Sequence, residues 1–383
     1  MRILIAPNAF KNSLDATKAA EAISKGLQES KLSCTTTCFP VGDGGDGTAS
    51  LLMQHLKGKM LEATVHDPLG RKIKASFGLT DDDRIGVIEL ADASGLRLLN
   101  PGEYAPLHTN TYGTGELIKR ALDKGVNKII IGIGGSATVD AGIGIMHALG
   151  AKFYDDNGNE LQDLPASLIN LSRIDTTGID KRLFHTEIIV LCDVENTLLG
   201  TDGAAAVFGP QKGASKNDVQ ELEKAITQFR NIVLAETGHD MAVVKHGAAA
   251  GGVAAAMNTF LLARLLNGID HFLDITDFDA ALENADLVIT GEGSIDSQTL
   301  QGKAPYGVAK RAKKKSIPVI ALAGKIPLHP DEQLQQYFDF LIPINNEITD
   351  LQTAIENTYD NLVRSAKLLG ELLNMQQGGV VSG

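Results

Sequence analysis

Short, wholly apolar runs alternate with amphipathic stretches at both ends of the chain. Ile3 to Ala6 is apolar at every position, the pattern of a strand covered on both faces. Ala16, Ala19, Ala20, Ile23 and Leu27 then share one face of a helix that Ser13 is placed to cap. Cys34 to Val41 predicts a second strand, and 287–290, 319–323 and 340–344 predict three more with helices between them. From about residue 61 the rhythm changes. Residues 61–65, 72–79 and 85–90 read as sequential strands joined by Asp67-Pro68-Leu69-Gly70 and by the acidic turn from Thr80 to Asp83. Residues 114–124 predict a helix stopped by Gly125, 128–133 and 187–191 buried strands, and 139–149 a further helix. The most apolar stretch, Gly247 to Asn267, carries Asn258 and Arg264 and reads as a buried helix rather than a membrane span. Gln376 to Gly383 reads as a frayed tail.

Such alternation predicts parallel sheets flanked by helices. The two ends share a rhythm that the middle lacks. The expected architecture is therefore α/β with two domains: residues 1–60 plus 275–383 as a doubly wound Rossmann- or flavodoxin-like domain, and 61–274 as an inserted mixed α/β domain. The 383 residues suffice for two such cores. Thirty-five Lys and Arg against 47 Asp and Glu leave a formal charge of −12, which speaks against nucleic acid or an anionic membrane as partner. The basic run from Lys310 to Lys315 fits a solvated helix end. Three Cys form no closed disulfide framework, and Cys34 and Cys38, four strand steps or roughly 13 Å apart, are too far to pair. With no secretory signal at Met1-Arg2, a cytoplasmic protein is expected.

Candidate chemistry gathers in loops rich in Gly and Asp, where α/β sheets bind ligands at strand carboxyl ends. Gly132-Ile-Gly134-Gly135-Ser136-Ala137-Thr138 follows a strand and either cradles an oxyanion or serves only as a tight turn. It also meets the loose dinucleotide pattern Gly-x-Gly-x-x-Ala, with Asp155 downstream. Gly42-Asp43-Gly44-Gly45-Asp46-Gly47-Thr48 offers two carboxylates suited to Mg²⁺, or two solvated Asx turns. Thr290-Gly291-Glu292-Gly293-Ser294-Ile295-Asp296 adds two more acids, with Lys303 shortly after. Asp193 closes a strand as a candidate general base, metal ligand or helix cap. Lys11, Lys212 and Lys303 are candidate phosphate neutralisers or plain surface lysines. A Walker A loop, His-Glu-x-x-His, Gly-x-Ser-x-Gly and the protein-kinase motifs are absent.

Taken together these blocks carry a resemblance. Ala6-Pro7-Asn8-Ala9-Phe10-Lys11-Asn12-Ser13-Leu14, Pro40 to Thr48, Ala93-Ser94-Gly95-Leu96, Gly113-Thr114-Gly115-Glu116-Leu117, Gly132 to Gly142, Asp193-Val194-Glu195-Asn196, Phe208 to Ala214, Gly247 to Gly252 and Thr290 to Asp296 with Gly302-Lys303 resemble, in order, the blocks of the bacterial type-1 glycerate kinases. Asn8-Ala9 stands where the family has Asp-Ser, Asp46 replaces a Glu, and Thr197 replaces a Pro. The resemblance implies two α/β domains with the active site in the cleft between them, and ATP-dependent phosphorylation of D-glycerate with a Mg²⁺ requirement, 2-phosphoglycerate being the favoured product. In that reading Asp193, Lys11 and Lys212 are catalytic. Asp43, Asp46 and Asp296 hold the metal, and Ser13, Gly44, Gly45, Gly134, Gly135, Ser136, Thr138, Glu292, Gly293 and Lys303 bind glycerate or ATP. The partners are these small molecules, with no nucleic acid or membrane, and a homodimer is left open. Two other readings stand beside it: a nicotinamide-dependent dehydrogenase of a small hydroxy acid, and a non-catalytic small-acid sensor.

Overall fold

The computed structural model describes residues 1–80, 82–330 and 332–378. Its strands run β1 (Arg2–Pro7), β2 (Thr35–Cys38), β3 (Lys59–His66), β4 (Lys72–Leu79), β5 (Ile85–Glu89), β6 (Lys128–Gly132), β7 (Lys152–Tyr154), β8 (Arg173–Asp175), β9 (Glu187–Cys192), β10 (Arg264–Asn267), β11 (Leu287–Ser294), β12 (Val319–Lys325) and β13 (Phe340–Pro343). Two compact units divide the chain, one built from Met1–Asp43 and the chain from Gly268 onward, the other from Gly44–Asn267.

In the unit built from the two ends, β2, β1, β11, β12 and β13 lie side by side in that order and every pairing is parallel. Counted within the unit this is the order 2-1-3-4-5 of flavodoxin-like sheets, and the strand order reverses between β1 and β11. Ile3, Ile5, Ile289, Ile320 and Leu322 form its core with Ala19, Ile23 and Leu27 of the helix Ala16–Gln28. Asp15, not Ser13, caps that helix, its carboxylate accepting from the Lys18 N–H at 2.8 Å. The Ser13 hydroxyl instead donates to the carbonyl of Ile355 at 2.6 Å.

The other unit carries β10-β9-β6-β5-β4-β3, parallel from β10 to β5 and antiparallel through β4 and β3, with β7 and β8 as a separate hairpin. Its core runs from Val65 to Ala263. Residues 44–60, expected with the chain ends, belong here, because Leu51, Leu52 and Met53 bury the helix Thr48–His55 against β3, β4 and β5. Residues 268–274 go the other way, since the helix Gly268–Ile275 packs on the helix Ala304–Lys314.

Three other expectations change. The second strand is confined to Thr35–Cys38, so that Cys34 precedes it, while Cys34 and Cys38 are free, as their spacing predicts. The helix expected at 139–149 forms only at Ile143–Ala148, because Ala141 and Gly142 take left-handed backbone. Gly247–Asn267 is not one helix: the helix Ala249–Leu261 is interrupted at Ala250, Gly251 and Gly252, and β10 follows. No helix among the described residues is long and apolar enough to cross a membrane. At the C-terminus the helix Thr358–Gly378 takes in the start of the expected tail, whose residues 379–383 lie outside the described residues.

Candidate active site

The reversal of strand order between β1 and β11 brings two acid-bearing segments together. β1 ends at Pro7 beside Gly291, and the Asn8 N–H donates to the Gly291 carbonyl at 2.8 Å. Asn8 Nδ2 donates to Asp43 Oδ2 at 2.9 Å, so the residue where the family has Asp holds the Asp43 carboxylate. β11 does not stop at Thr290. It continues through Gly291, Glu292 and Gly293 to Ser294, with Glu292 opposite Ala323. Glu292 is therefore fixed on a central strand rather than on a loop. Its carboxyl is buried and accepts from the Thr299 hydroxyl at 3.2 Å. Burial pushes it up to about 7. Lys303 and Thr299 pull against that shift, while the charges of Asp43 and Asp296 add to it. Asp296 caps the short turn Ser297–Gln301 by accepting from the Gln298 N–H, and Lys303 stands at the start of the helix Ala304–Lys314. Gly293 lies beside the Lys11 backbone, and the Lys11 side chain is exposed.

In the middle unit the loops after β5, β6 and β9 form a second group. Gly132 and Gly134 are needed for a close approach of backbone to backbone. A Cβ at Gly134 would lie 2.8 Å from Gly45 Cα, and the Gly134 N–H donates to the Gly44 carbonyl. The Ala137 N–H donates to the Ser94 carbonyl, so two donors of the expected oxyanion turn are already engaged. Lys212 is fully buried and donates to Ser136 Oγ and to the Thr138 carbonyl, both at 2.6 Å. Burial pushes its ammonium down to about 7 against the pull of the Asp140 charge. Thr138 Oγ1 is buried with no hydrogen-bond partner among the described residues. Asp193 follows β9 and is exposed.

Several residues were not singled out from the sequence. Glu89, the last residue of β5, accepts from the Gly47 and Ala49 N–H groups at 3.1 and 2.7 Å and thus caps the helix Thr48–His55 from outside it. Burial raises its carboxyl to about 7. Arg97 bridges Asp46, at 3.2 Å, and Asp92. Asp46 is thereby paired with a cation. Asp140 is completely buried and accepts from Thr111 N and Oγ1 and from the Gly142 and Gly144 N–H groups. A lone acid closing a buried strand is the signal that selected Asp193, and it applies equally to Glu89.

Asp155 does not serve a dinucleotide. It follows β7, outside the main sheet, and folds its own turn by accepting from the Asn157 and Asn159 N–H groups. The pattern at Gly132–Ala137 thus lacks the second strand that a nicotinamide cofactor needs.

An α/β chain with a flavodoxin-type sheet and acids and lysines at its strand carboxyl ends has the make-up of a small-molecule phosphotransferase. The profile of the glycerate kinase family matches residues 3–374, and the chain belongs to that family. It is 43% identical over 367 residues to the glycerate kinase of Bacillus subtilis (strain 168), covering 96% of each chain. It is 41% identical over 373 residues to the glycerate 2-kinase of Escherichia coli (strain K12), covering 97% of this chain and 98% of that one. A crystal structure described as a glycerate kinase 2 from Salmonella typhimurium LT2 superposes with a TM-score of 0.86 at 41% identity, covering 99% of both chains.

Proposed function

We propose that the protein is a D-glycerate kinase that transfers the γ-phosphoryl group of ATP to a glycerate hydroxyl, with 2-phosphoglycerate the favoured product. The observation that carries this reading is the acid and lysine group at the β1–β11 reversal, where Glu292 feels the charges of Asp43, Asp296 and Lys303. Relatives of the same length bearing the name glycerate kinase supply the substrate.

The hydroxyl oxygen forms a bond to the γ-phosphorus as the bond to the β–γ bridging oxygen breaks and ADP leaves, and the hydroxyl proton passes to the Asp193 carboxylate. Lys11 and Lys303 offset phosphate or carboxylate charge. Lys212 holds Ser136 and Thr138 in place, and the backbone at Gly135, Ser136 and Thr138 lines the anion beside Gly44 and Gly45. Asp43 and Asp296, whose charges reach Glu292, suit Mg²⁺, a hard cation that takes one or two carboxylates along with phosphate and water oxygens. Among the described residues no three acidic, His or Cys groups converge into a metal cage. Asp43 and Asp296 would hold the ion, which would supply neutralisation of phosphate charge. Asp46, paired with Arg97, is left to the loop.

ADP release coupled to a dye, with D-glycerate, L-glycerate, glycerol and lactate as acceptors, tests the reading. D-glycerate alone should support Mg²⁺-dependent turnover, and phosphorus NMR of the product should show the 2-phosphate. Turnover with none of the four, or NADH binding in place of ATP use, overturns it. Asp193→Asn should lower kcat by about 100-fold or more with folding intact, and activity within a few-fold of the parent would remove Asp193 from the role of base.

A further inference from the structure

The middle unit holds a cavity of about 510 Å³ that none of the residues placed above in phosphoryl transfer lines. That volume lies well within the range of ligand pockets and is far larger than a three-carbon acid fills. His66, His108 and His147 line it, and each imidazole has a carboxylate beside it. His66 Nδ1 lies 3.0 Å from Glu116, His108 Nδ1 3.1 Å from Asp163, and His147 Nε2 3.5 Å from Glu160. The Tyr112 ring stands edge-on between two of the imidazoles, its centroid 5.7 Å from that of His66 and 5.5 Å from that of His147.

This wall is assembled by a motif that phosphoryl transfer leaves unused. Glu116 belongs to the block Gly113-Thr114-Gly115-Glu116-Leu117, and its carboxylate takes both the backbone N–H and the ring of His66. Gly113 must be glycine there, since a Cβ would lie 1.8 Å from the His66 carbonyl oxygen. Gly144 lines the cavity from the other side, and its N–H is held by Asp140 at 3.1 Å.

The chemistry of the lining selects among ligands. Its described residues include no Lys or Arg, and its one lining carboxylate is Asp163, so a phosphate would meet a like charge without a fixed cation. No metal-holding group of acids, His or Cys forms among the described residues. An imidazole held by a carboxylate through one nitrogen presents the other to a hydroxyl, as donor or acceptor. Asn110 adds amide donors, because its Oδ1 is taken by the Tyr112 N–H at 3.0 Å. Leu69, Leu161 and Leu164 offer an apolar face beside the Tyr112 ring.

We infer that this cavity binds an uncharged, polyhydroxylated ring compound, its hydroxyls on the carboxylate-backed imidazoles and its less polar face on Tyr112 and the leucines. Two sources share that chemistry, the ribose end of a nucleoside and a free monosaccharide. The experiment is calorimetric titration of the whole protein with adenosine and with D-glucose, with a non-hydrolysable ATP analogue and Mg²⁺ present in excess to fill the nucleotide site. One of the two should bind saturably below about 1 mM, and the compound that does so identifies the source. Tyr112→Ala and, separately, Asn110→Ala should weaken that binding about tenfold while leaving glycerate phosphorylation without the compound within about twofold of the parent. Failure of both compounds to bind overturns the inference, as does binding that neither substitution changes. Tighter capture of inorganic phosphate than of either compound, lost in the same variants, also overturns it.

Discussion

Lys212 places a cation where burial makes charge expensive. Its ammonium has two close oxygen acceptors, Ser136 Oγ and the Thr138 carbonyl, and it shares its surroundings with buried Asp140. A buried charge of this kind adds little net stability even when it is paired. Lys212→Met should therefore lower turnover on the order of 100-fold while the circular dichroism spectrum stays native. Steady-state kinetics that match the parent would show that Ser136 and Thr138 need no anchor. Legibility differed among the charged residues for one reason: a sequence shows which residues carry charge but not whether the charge reaches water. Lys11 and Lys212 look alike along the chain, yet one is exposed and the other sealed. Asp43 and Asp46 sit three residues apart in one glycine-rich loop, yet Asn8 holds the first and Arg97 the second.

Apolar runs located β1, β12, β6 and β9 well, because a strand buried on both faces has no polar position to confuse the pattern. The ends of elements were harder. β11 runs on through Gly291-Glu292-Gly293, which reads as loop by composition but is carried by pairing with β12. The glycines at 132 and 134, equally, serve the packing of Gly44 and Gly45 against the end of β6 as well as any ligand. Gly134→Ala should push those loops apart and cost about 1–3 kcal/mol in chemical denaturation, with activity falling alongside. A variant as stable and as active as the parent would mean that the loops tolerate separation.

Across the molecule three buried groups, Glu89, Glu292 and Lys212, are each brought to about 7, from 4.5 for the acids and 10.5 for the lysine. Between pH 4.5 and 7 the folded chain keeps protons on the two acids that the unfolded chain has released, so their contribution makes stability fall as pH rises. Between 7 and 10.5 the unfolded chain keeps the lysine proton that the fold has lost, and the contribution rises again. Calorimetry of the metal-free protein across this range should show a minimum in their joint contribution near pH 7. In Glu292→Gln the amide oxygen can still accept from Thr299. That variant should flatten the acid side and hold or raise Tm at pH 7 while lowering turnover. An unchanged acid-side slope would contradict the burial assigned to Glu292.

The amino-acid order alone determined the α/β class, the pairing of the two chain ends in one sheet and the family, because these follow from periodicity and from motifs of local spacing. Tertiary structure alone decided which unit receives residues 44–60, that Glu292 rides on a strand, that Lys212 is dry and that three imidazoles line one cavity. Each of these depends on groups far apart in the chain excluding water from one another, and desolvation has no signature in local sequence.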